Sequence, residues 1–270
     1  MTTAVERTLE ILEYLAAYPA GVPLASIADA LELPRSACHR LLTDLVRCGY
    51  LRQRRDYGDY MLTTKLAALG LSHLSSSGIV DLAQPLLDQM AQESGDLVRL
   101  AIVDGDRLTF VAKAQGARNG LRYDPDMGID VRLSCSAAGH AWMATLSDER
   151  VIELVAQQGF GAPNEFGPRA PTTYRELLAY LELARTRGFS MISDVYSPGM
   201  ASMAVPIRWQ EGPTVGVVSI AGPLMRLTEE RMLGLGPRLV KVAAELAIIS
   251  RTSPLFDKDS TVAQEPTATA

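Results

Sequence analysis

Two short helical patterns separated by a tight turn constrain the fold of residues 24–49 more than any other feature of the chain. The first pattern covers residues 24–31, and its apolar side chains recur at the spacing of one helix face: Leu24, Ile27, Ala28 and Leu31. The turn is residues 32–34, and Pro34 suits the start of a helix because its missing N–H is not needed there. The second helix then runs from about residue 35 to 48 and ends at Gly49. The spacing predicts a helix–turn–helix.

The second helix has two chemically different faces. Its apolar face is expected to be buried and carries Cys38, Leu41, Leu42 and Leu45. Its polar face and first turn carry Arg35, Ser36, Ala37, His39, Arg40, Thr43 and Arg47. A helix that reads DNA offers such side chains to base edges in the major groove, while basic groups hold the phosphates. We expect Arg35 or Arg40 to bind guanine, and Ser36 with the first-turn amides to bind a phosphate.

The flanking segments complete an N-terminal winged helix–turn–helix over residues 1–63. A first helix is predicted by the spacing of Val5, Leu9, Leu12 and Leu15. After Gly49, residues 50–54 and 59–62 are predicted strands of a hairpin, with Tyr57-Gly58 available for its turn. Three arginines lie on this hairpin, where we expect phosphate contacts: Arg52, Arg54 and Arg55.

The charge distribution favours a nucleic-acid partner for this segment. The chain has a formal net charge of −5, but residues 35–55 hold six arginines against Asp44 alone. A basic segment in an acidic chain is expected if one small surface meets phosphate while the rest repels it. The alternative is a packed helical hairpin with an ordinary polar face, which any one of these residues alone would favour.

The remaining chain predicts a second domain of the α+β class, an antiparallel sheet flanked by helices. A helix near residues 65–74 and Ser75-Ser76-Ser77-Gly78 form a linker, assigned to residues 64–78. Predicted helices follow at about 82–92, 137–145, 148–158, 173–187 and 228–250, and predicted strands at 97–103, 107–112, 189–193, 200–207 and 214–221. The second domain therefore covers residues 79–251. Residues 252–270 lack periodicity and predict a disordered tail.

Several segments, in one order along the chain, resemble the isocitrate lyase regulator (IclR) family. They are Leu33-Pro-Arg-Ser-Ala-Cys-His-Arg-Leu-Leu42 with Gly49-Tyr-Leu51, Ser136-Ala-Ala-Gly-His-Ala141, Arg187-Gly-Phe189, Ser197-Pro-Gly-Met-Ala-Ser-Met-Ala-Val-Pro-Ile207, Val218-Ser-Ile-Ala-Gly-Pro223 and Arg226-Leu-Thr228. The resemblance implies a bacterial transcription regulator with a winged helix–turn–helix, a linker helix and a GAF-like effector domain. It also implies a homodimer or homotetramer on double-stranded operator DNA. Repressors and activators both occur in the family.

The resemblance also implies where a small-molecule effector binds. The family's effector positions correspond to Ala138, Gly139, Met200, Ser202 and Ser219, and more loosely to Leu133, Asp194 and Ala221. Trp142, one turn into the same helix as Gly139, is expected to form a wall of an apolar pocket that suits an organic or aromatic acid. Without the resemblance, the residues favour the structural alternative over a ligand site: close packing, serines bonded to nearby backbone and a core tryptophan.

Other function classes find little support in the residues. Cys135 and His140 are the one pair that suggests a thiol–imidazole enzyme, but no third orienting group is evident. No metal-ligand, phosphate-loop or dinucleotide motif is present, so no cofactor and no metal are expected. Three scattered cysteines and the lack of ~18 uninterrupted apolar residues predict a cytoplasmic protein without a membrane partner. A second domain that only oligomerises, with no ligand, remains an alternative.

Overall fold

The computed structural model describes residues 3–54, 58–125, 127, 131–162, 164–210 and 212–254. The chain divides into two compact units, residues 1–76 and 77–270. Among the described residues, no single helix is long and apolar enough to cross a bilayer. The consecutive helices Lys65–Ser76 and Ile79–Ser94 reach the required length and hydropathy only when they are counted together.

The first unit is a three-helix cluster closed by a two-stranded hairpin. Its elements are α1 (Ala4–Ala16), α2 (Leu24–Ala30), α3 (Arg35–Arg47), β1 (Leu51–Gln53), β2 (Tyr60–Leu62) and α4 (Lys65–Ser76). β1 and β2 pair antiparallel with Leu51 opposite Leu62. The turn between α2 and α3 is tight because Glu32 takes a left-handed φ of +51° and the Leu33 amide donates to the Ala28 carbonyl at 2.8 Å.

The core of this unit is built from the helix faces that the spacing predicts. Ile11, Leu15, Ile27, Cys38 and Leu42 are essentially inaccessible to solvent. Two details differ from the prediction. Leu41 is only partly buried, and Val5 and Leu9 on the predicted stripe of α1 are 69% and 52% exposed. The buried residues of α1 are Ile11, Leu12 and Leu15, which all lie in the second half of the helix, so the first half of the predicted stripe stays outside the core.

The second unit is an α+β fold around a five-stranded antiparallel sheet, as the sequence predicts. Its elements are α5 (Ile79–Ser94), β3 (Leu97–Asp104), β4 (Arg107–Gln115), α6 (Ala137–Met143), α7 (Asp148–Gln158), α8 (Tyr174–Arg187), β5 (Ser190–Ser193), β6 (Met200–Arg208), β7 (Thr214–Pro223) and α9 (Glu229–Ser250). The strand order is β4-β3-β7-β6-β5. α5 is longer than the predicted 82–92 because it extends between two glycines with left-handed φ, Gly78 and Gly95.

The two faces of this sheet have separate cores. Side chains alternate along a strand, so Val98 and Leu100 of β3 pack with α5 and α9, while Ala101 belongs to the opposite core. That opposite core contains α6, α7 and α8, with Val151 and Leu181 at its centre.

Candidate functional site

The exposed face of α3 carries the side chains that the sequence assigns to DNA. Opposite the buried Cys38, Leu42 and Leu45, six of the assigned residues are exposed: Arg35, Ser36, His39, Arg40, Thr43 and Arg47. Ala37 is partly buried. α3 therefore presents one continuous polar face along its length.

The start of α3 leaves backbone donors unused. Pro34 is the N-cap and makes no side-chain hydrogen bond to the helix. The first α3 amide with an acceptor in the preceding turn is that of Cys38, which donates to the Pro34 carbonyl at 2.9 Å. The earlier amides and the helix dipole therefore favour an anion at this end.

The cations of this face differ in their partners. Arg47 donates to Asp44 at 2.8 Å, and the Thr43 hydroxyl donates to the His39 carbonyl at 2.8 Å. Within the part of the chain that the structure describes, Arg35 and Arg40 form no ion pair. No described residue accepts a hydrogen bond from either arginine, so both are available to bind another molecule.

The hairpin adds a second basic surface in the first unit. Arg52 lies on β1 opposite Met61, and its Nε lies 3.1 Å from the methionine sulfur, which is a weak acceptor. Arg54 is exposed directly after β1. Arg55 and Tyr57, which the sequence places on the hairpin and its turn, lie outside the described residues.

The second unit contains a cavity between the sheet and the segment that precedes α6. The empty space among its lining residues, with the open solvent at its mouth included, is about 720 Å³. Five of the predicted effector residues line it: Ala138, Met200, Ser202, Ser219 and Ala221. The described lining residues include no carboxylate.

Arg99 on β3 is the most unusual group in this cavity. Its guanidinium carbon lies 3.7 Å from the centre of the Phe110 ring, and both residues line the cavity. Its Nε is buried and has no hydrogen-bond partner among the described residues. Burial lowers the pKa of Arg99, but an arginine stays protonated at neutral pH. The cavity therefore contains a positive charge that has no counterion among the described residues.

Ser219 lies beside Arg99. The two residues are Cα partners across β3 and β7, so their side chains share one face of the sheet. Ser219 is 3% exposed, and its Oγ has no partner among the described residues. A serine bonded to nearby backbone, the alternative that the sequence leaves open, is therefore not what is observed at this position.

The other polar groups of the cavity are already satisfied or neutral. The Arg132 guanidinium forms an ion pair with Glu165, with 3.6 Å between Nη2 and Oε1. It also donates from Nη1 to the Gln158 carbonyl at 2.9 Å. Tyr123 is held neutral because burial raises its pKa, an effect that the nearby Arg99 opposes. Tyr196 also lines the cavity. Both tyrosines supply an aromatic ring and a hydroxyl group to the cavity wall.

Two predicted effector residues instead maintain the packing below α6. Leu133 and Gly139 are not among the residues that line the cavity. The Gly139 amide donates to the hydroxyl of Ser136, the N-cap of α6, at 3.0 Å. A Cβ on Gly139 would overlap the backbone of Leu133. Position 139 requires glycine because its backbone contacts the backbone of Leu133 directly.

Two further predicted residues have other contacts. Trp142 does not line the cavity with Arg99; it is 4% exposed and lines a different cavity with Thr145 and Thr214. Asp194 has a left-handed φ of +58°, and its carboxylate accepts the Gly199 amide at 2.7 Å. Asp194 therefore holds the turn before β6 and does not line the cavity.

The thiol and imidazole that suggested catalysis have the wrong protonation states. Burial raises the pKa of Cys135 to about 12 and lowers that of His140 to about 4. His140 donates from Nε2 to the Ser134 carbonyl at 2.7 Å. Both groups are neutral near pH 7, so Cys135 is not a thiolate nucleophile. Among the described residues, no His, Cys, Asp and Glu form a group that could hold a metal ion.

The sequence prediction missed the residues that give the cavity its chemistry: Arg99, Phe110, Tyr123 and Tyr196. A signal for Arg99 exists, because it interrupts the otherwise apolar run Leu97-Val-Arg-Leu-Ala-Ile-Val103. A charged residue inside a strand that is buried on both faces requires a partner. The tyrosines lie in loops, and no periodicity marks them.

Two family models match the chain. The model described as IclR helix-turn-helix domain matches residues 4–55, and the one described as Bacterial transcriptional regulator IclR C-terminal matches residues 71–248. Curated relatives include Transcriptional repressor IclR of Escherichia coli, 28% identical over 243 residues that cover 90% of this chain and 88% of the relative. The HTH-type transcriptional repressor AllR of Escherichia coli is 26% identical over 244 residues, 90% and 89% of the two chains.

Solved structures have the same fold. An IclR family transcriptional regulator from Brucella abortus has a TM-score of 0.74 and 26% identity, covering 92% of this chain and 93% of its own. An IclR homolog from Microbacterium hydrocarbonoxydans, complexed with 4-hydroxybenzoate, has a TM-score of 0.75 and 20% identity, covering 93% and 100%.

Proposed function

The chain belongs to the IclR family of bacterial transcriptional regulators, and we propose that a small molecule in the cavity of its second unit modulates its binding to operator DNA. The observation that carries this proposal is the Arg99 charge, which faces a cavity and has no counterion among the described residues. A domain that only oligomerises has no need of such a group. The curated relatives named above are repressors, which favours repression as the mode of control.

We propose the following roles on the DNA side. Arg35 or Arg40 binds a guanine edge in the major groove, since neither is engaged by a described residue. Ser36 and the amides at the start of α3 hold a phosphate. His39, Thr43 and Arg47 lie on the same face, and Arg52, Arg54 and Arg55 hold phosphates of the flanking backbone.

On the effector side we propose an organic or aromatic acid in contact with Ala138, Met200, Ser202, Ser219 and Ala221. Small and apolar side chains give such a cavity room, and its few polar groups orient the ligand. The Microbacterium protein of the same fold was crystallised with an aromatic acid, which makes 4-hydroxybenzoate a rational first compound to test.

We also propose that the protein functions as a homodimer or homotetramer. α4 has no buried residue among those described, and Leu69 is 50% exposed on it. Val5 and Leu9 of α1 are exposed as well. A second copy of the chain would cover these apolar side chains.

One experiment tests the regulatory proposal directly. A duplex selected from a random-sequence pool by the purified protein is labelled, and its binding is followed by anisotropy with and without each acid of a panel. We expect at least one acid to change the affinity by roughly 5- to 150-fold, the usual range of coupling between two sites. Specific DNA binding that no acid changes would contradict modulation and favour an oligomerising second domain. Turnover of an added acid would favour an enzyme.

A further inference from the structure

Two unpartnered hydrogen-bond donors face the same cavity from adjacent strands. Arg99 on β3 and Ser219 on β7 are Cα partners, and both line the cavity. The Arg99 Nε and the Ser219 Oγ are buried, and neither has a hydrogen-bond partner among the described residues. Polar groups buried in this way cost stability unless something binds them. A ligand that accepts from both satisfies them in one step.

The charge of the cavity limits the ligand to a single negative charge near these donors. The second arginine in the wall, Arg132, is already close to Glu165 and bonded to the Gln158 carbonyl. No described lining residue is acidic. Among the described residues, the Arg99 guanidinium therefore has no counterion.

The rest of the wall suits an apolar body. Phe110 lies below the Arg99 guanidinium, and Val131, Ile192 and Met200 add aliphatic surface. Tyr123 and Tyr196 bring two more rings. A second charge on the ligand would lie against these side chains without a counterion, which is costly.

We infer that Arg99 and Ser219 form the anchor for the one carboxylate of the effector, and that this pair selects monocarboxylates with an apolar body over neutral and doubly charged analogues. A planar guanidinium donates to one carboxylate oxygen or to both, and the serine hydroxyl donates to a further lone pair of the same carboxylate. The inference rests on the proposed function, because it identifies the cavity with the effector site.

The test measures ligand binding in the absence of DNA. Full-length protein is titrated by calorimetry with three monocarboxylates, namely benzoate, cyclohexanecarboxylate and hexanoate, and with benzamide and phthalate. We expect the best monocarboxylate to bind at least tenfold more tightly than benzamide and phthalate. Absence of monocarboxylate binding, or equal binding of benzamide, would overturn the inference.

Variants assign the preference to the anchor. In Arg99→Met the preference for the carboxylate is expected to disappear, and in Ser219→Ala carboxylate binding is expected to weaken several-fold. Arg175→Met removes an exposed arginine of α8 outside the cavity and is expected to bind as the unaltered protein does. A preference that survives in Arg99→Met would also overturn the inference.

A folding control and the DNA assay separate the remaining outcomes. Arg99→Met removes a guanidinium that has no counterion among the described residues. The melting temperature of the ligand-free variant is therefore expected to equal or exceed that of the unaltered protein. A variant that melts earlier is replaced by Arg99→Gln, for which the same loss of preference is expected. If monocarboxylates bind through Arg99 but leave DNA affinity unchanged, the anchor is supported and the modulation proposed above is contradicted.

Discussion

Gly139 shows how strongly a single residue can be determined by its neighbours. Its Cα approaches the backbone of Leu133 so closely that an added Cβ would overlap it. Backbone moves less readily than a side chain, so Gly139→Ala is expected to lower the free energy of unfolding by about 1–3 kcal/mol. Urea unfolding followed by circular dichroism measures this change.

Gly234 provides the matched control. It lies in α9, is exposed, and has open space where a Cβ would be. Gly234→Ala is expected to raise the free energy of unfolding by about 0.5–1 kcal/mol, because alanine favours a helix. If Gly139→Ala is as stable as the unaltered protein, the backbone of Leu133 moves to accept the added Cβ at no cost, which would contradict this prediction.

The family resemblance led to only some of the residues that line the cavity. The resemblance led to Ser202 and Ser219, which line it, but also to Gly139 and Asp194, which have structural contacts instead. The spacing of residues along a helix does not indicate which cavity each side chain lines. Trp142 lies one turn from Ala138, yet the two residues line different cavities. Which groups lack partners is a property of the folded chain.

At the scale of elements, α3 and the hairpin are expected to make different contributions to DNA binding. Arg40→Ala is expected to weaken binding to a selected duplex by about 1–3 kcal/mol if the side chain reads a base. Arg54→Ala is expected to weaken binding to all duplexes and to reduce the salt dependence by about one phosphate contact. Anisotropy titrations at two salt concentrations, on selected and random duplexes, measure both.

Arg175→Ala is the control for charge alone, since Arg175 is exposed on α8 in the second unit. Its DNA affinity is expected to match that of the unaltered protein. Unchanged affinity in both Arg40→Ala and Arg54→Ala would refute the proposed binding face.

Elements were predicted best where local chemistry defines their ends. The helix predicted at 173–187 is α8, which begins at a capping box of Thr173 and Glu176 and ends at Gly188, whose φ is left-handed at +83°. The start of α5 was predicted too late, because Gly78 was read as part of a linker and not as a helix boundary. The pairing of β3 with β7 joins distant segments of the chain, so no local signal specifies it.

At the scale of the whole molecule, the exposed apolar side chains of the first unit predict self-association. Val5 and Leu9 are one helical turn apart on α1 and are 69% and 52% exposed. Light scattering at working concentration is expected to give at least the mass of a dimer. Leu9→Lys is expected to lower that mass towards the monomer, because it places a charge in the covered surface. Leu183→Lys, at an equally exposed site on α8 (56%), is expected to leave the mass unchanged. A monomer mass for the unaltered protein would refute the proposed oligomer.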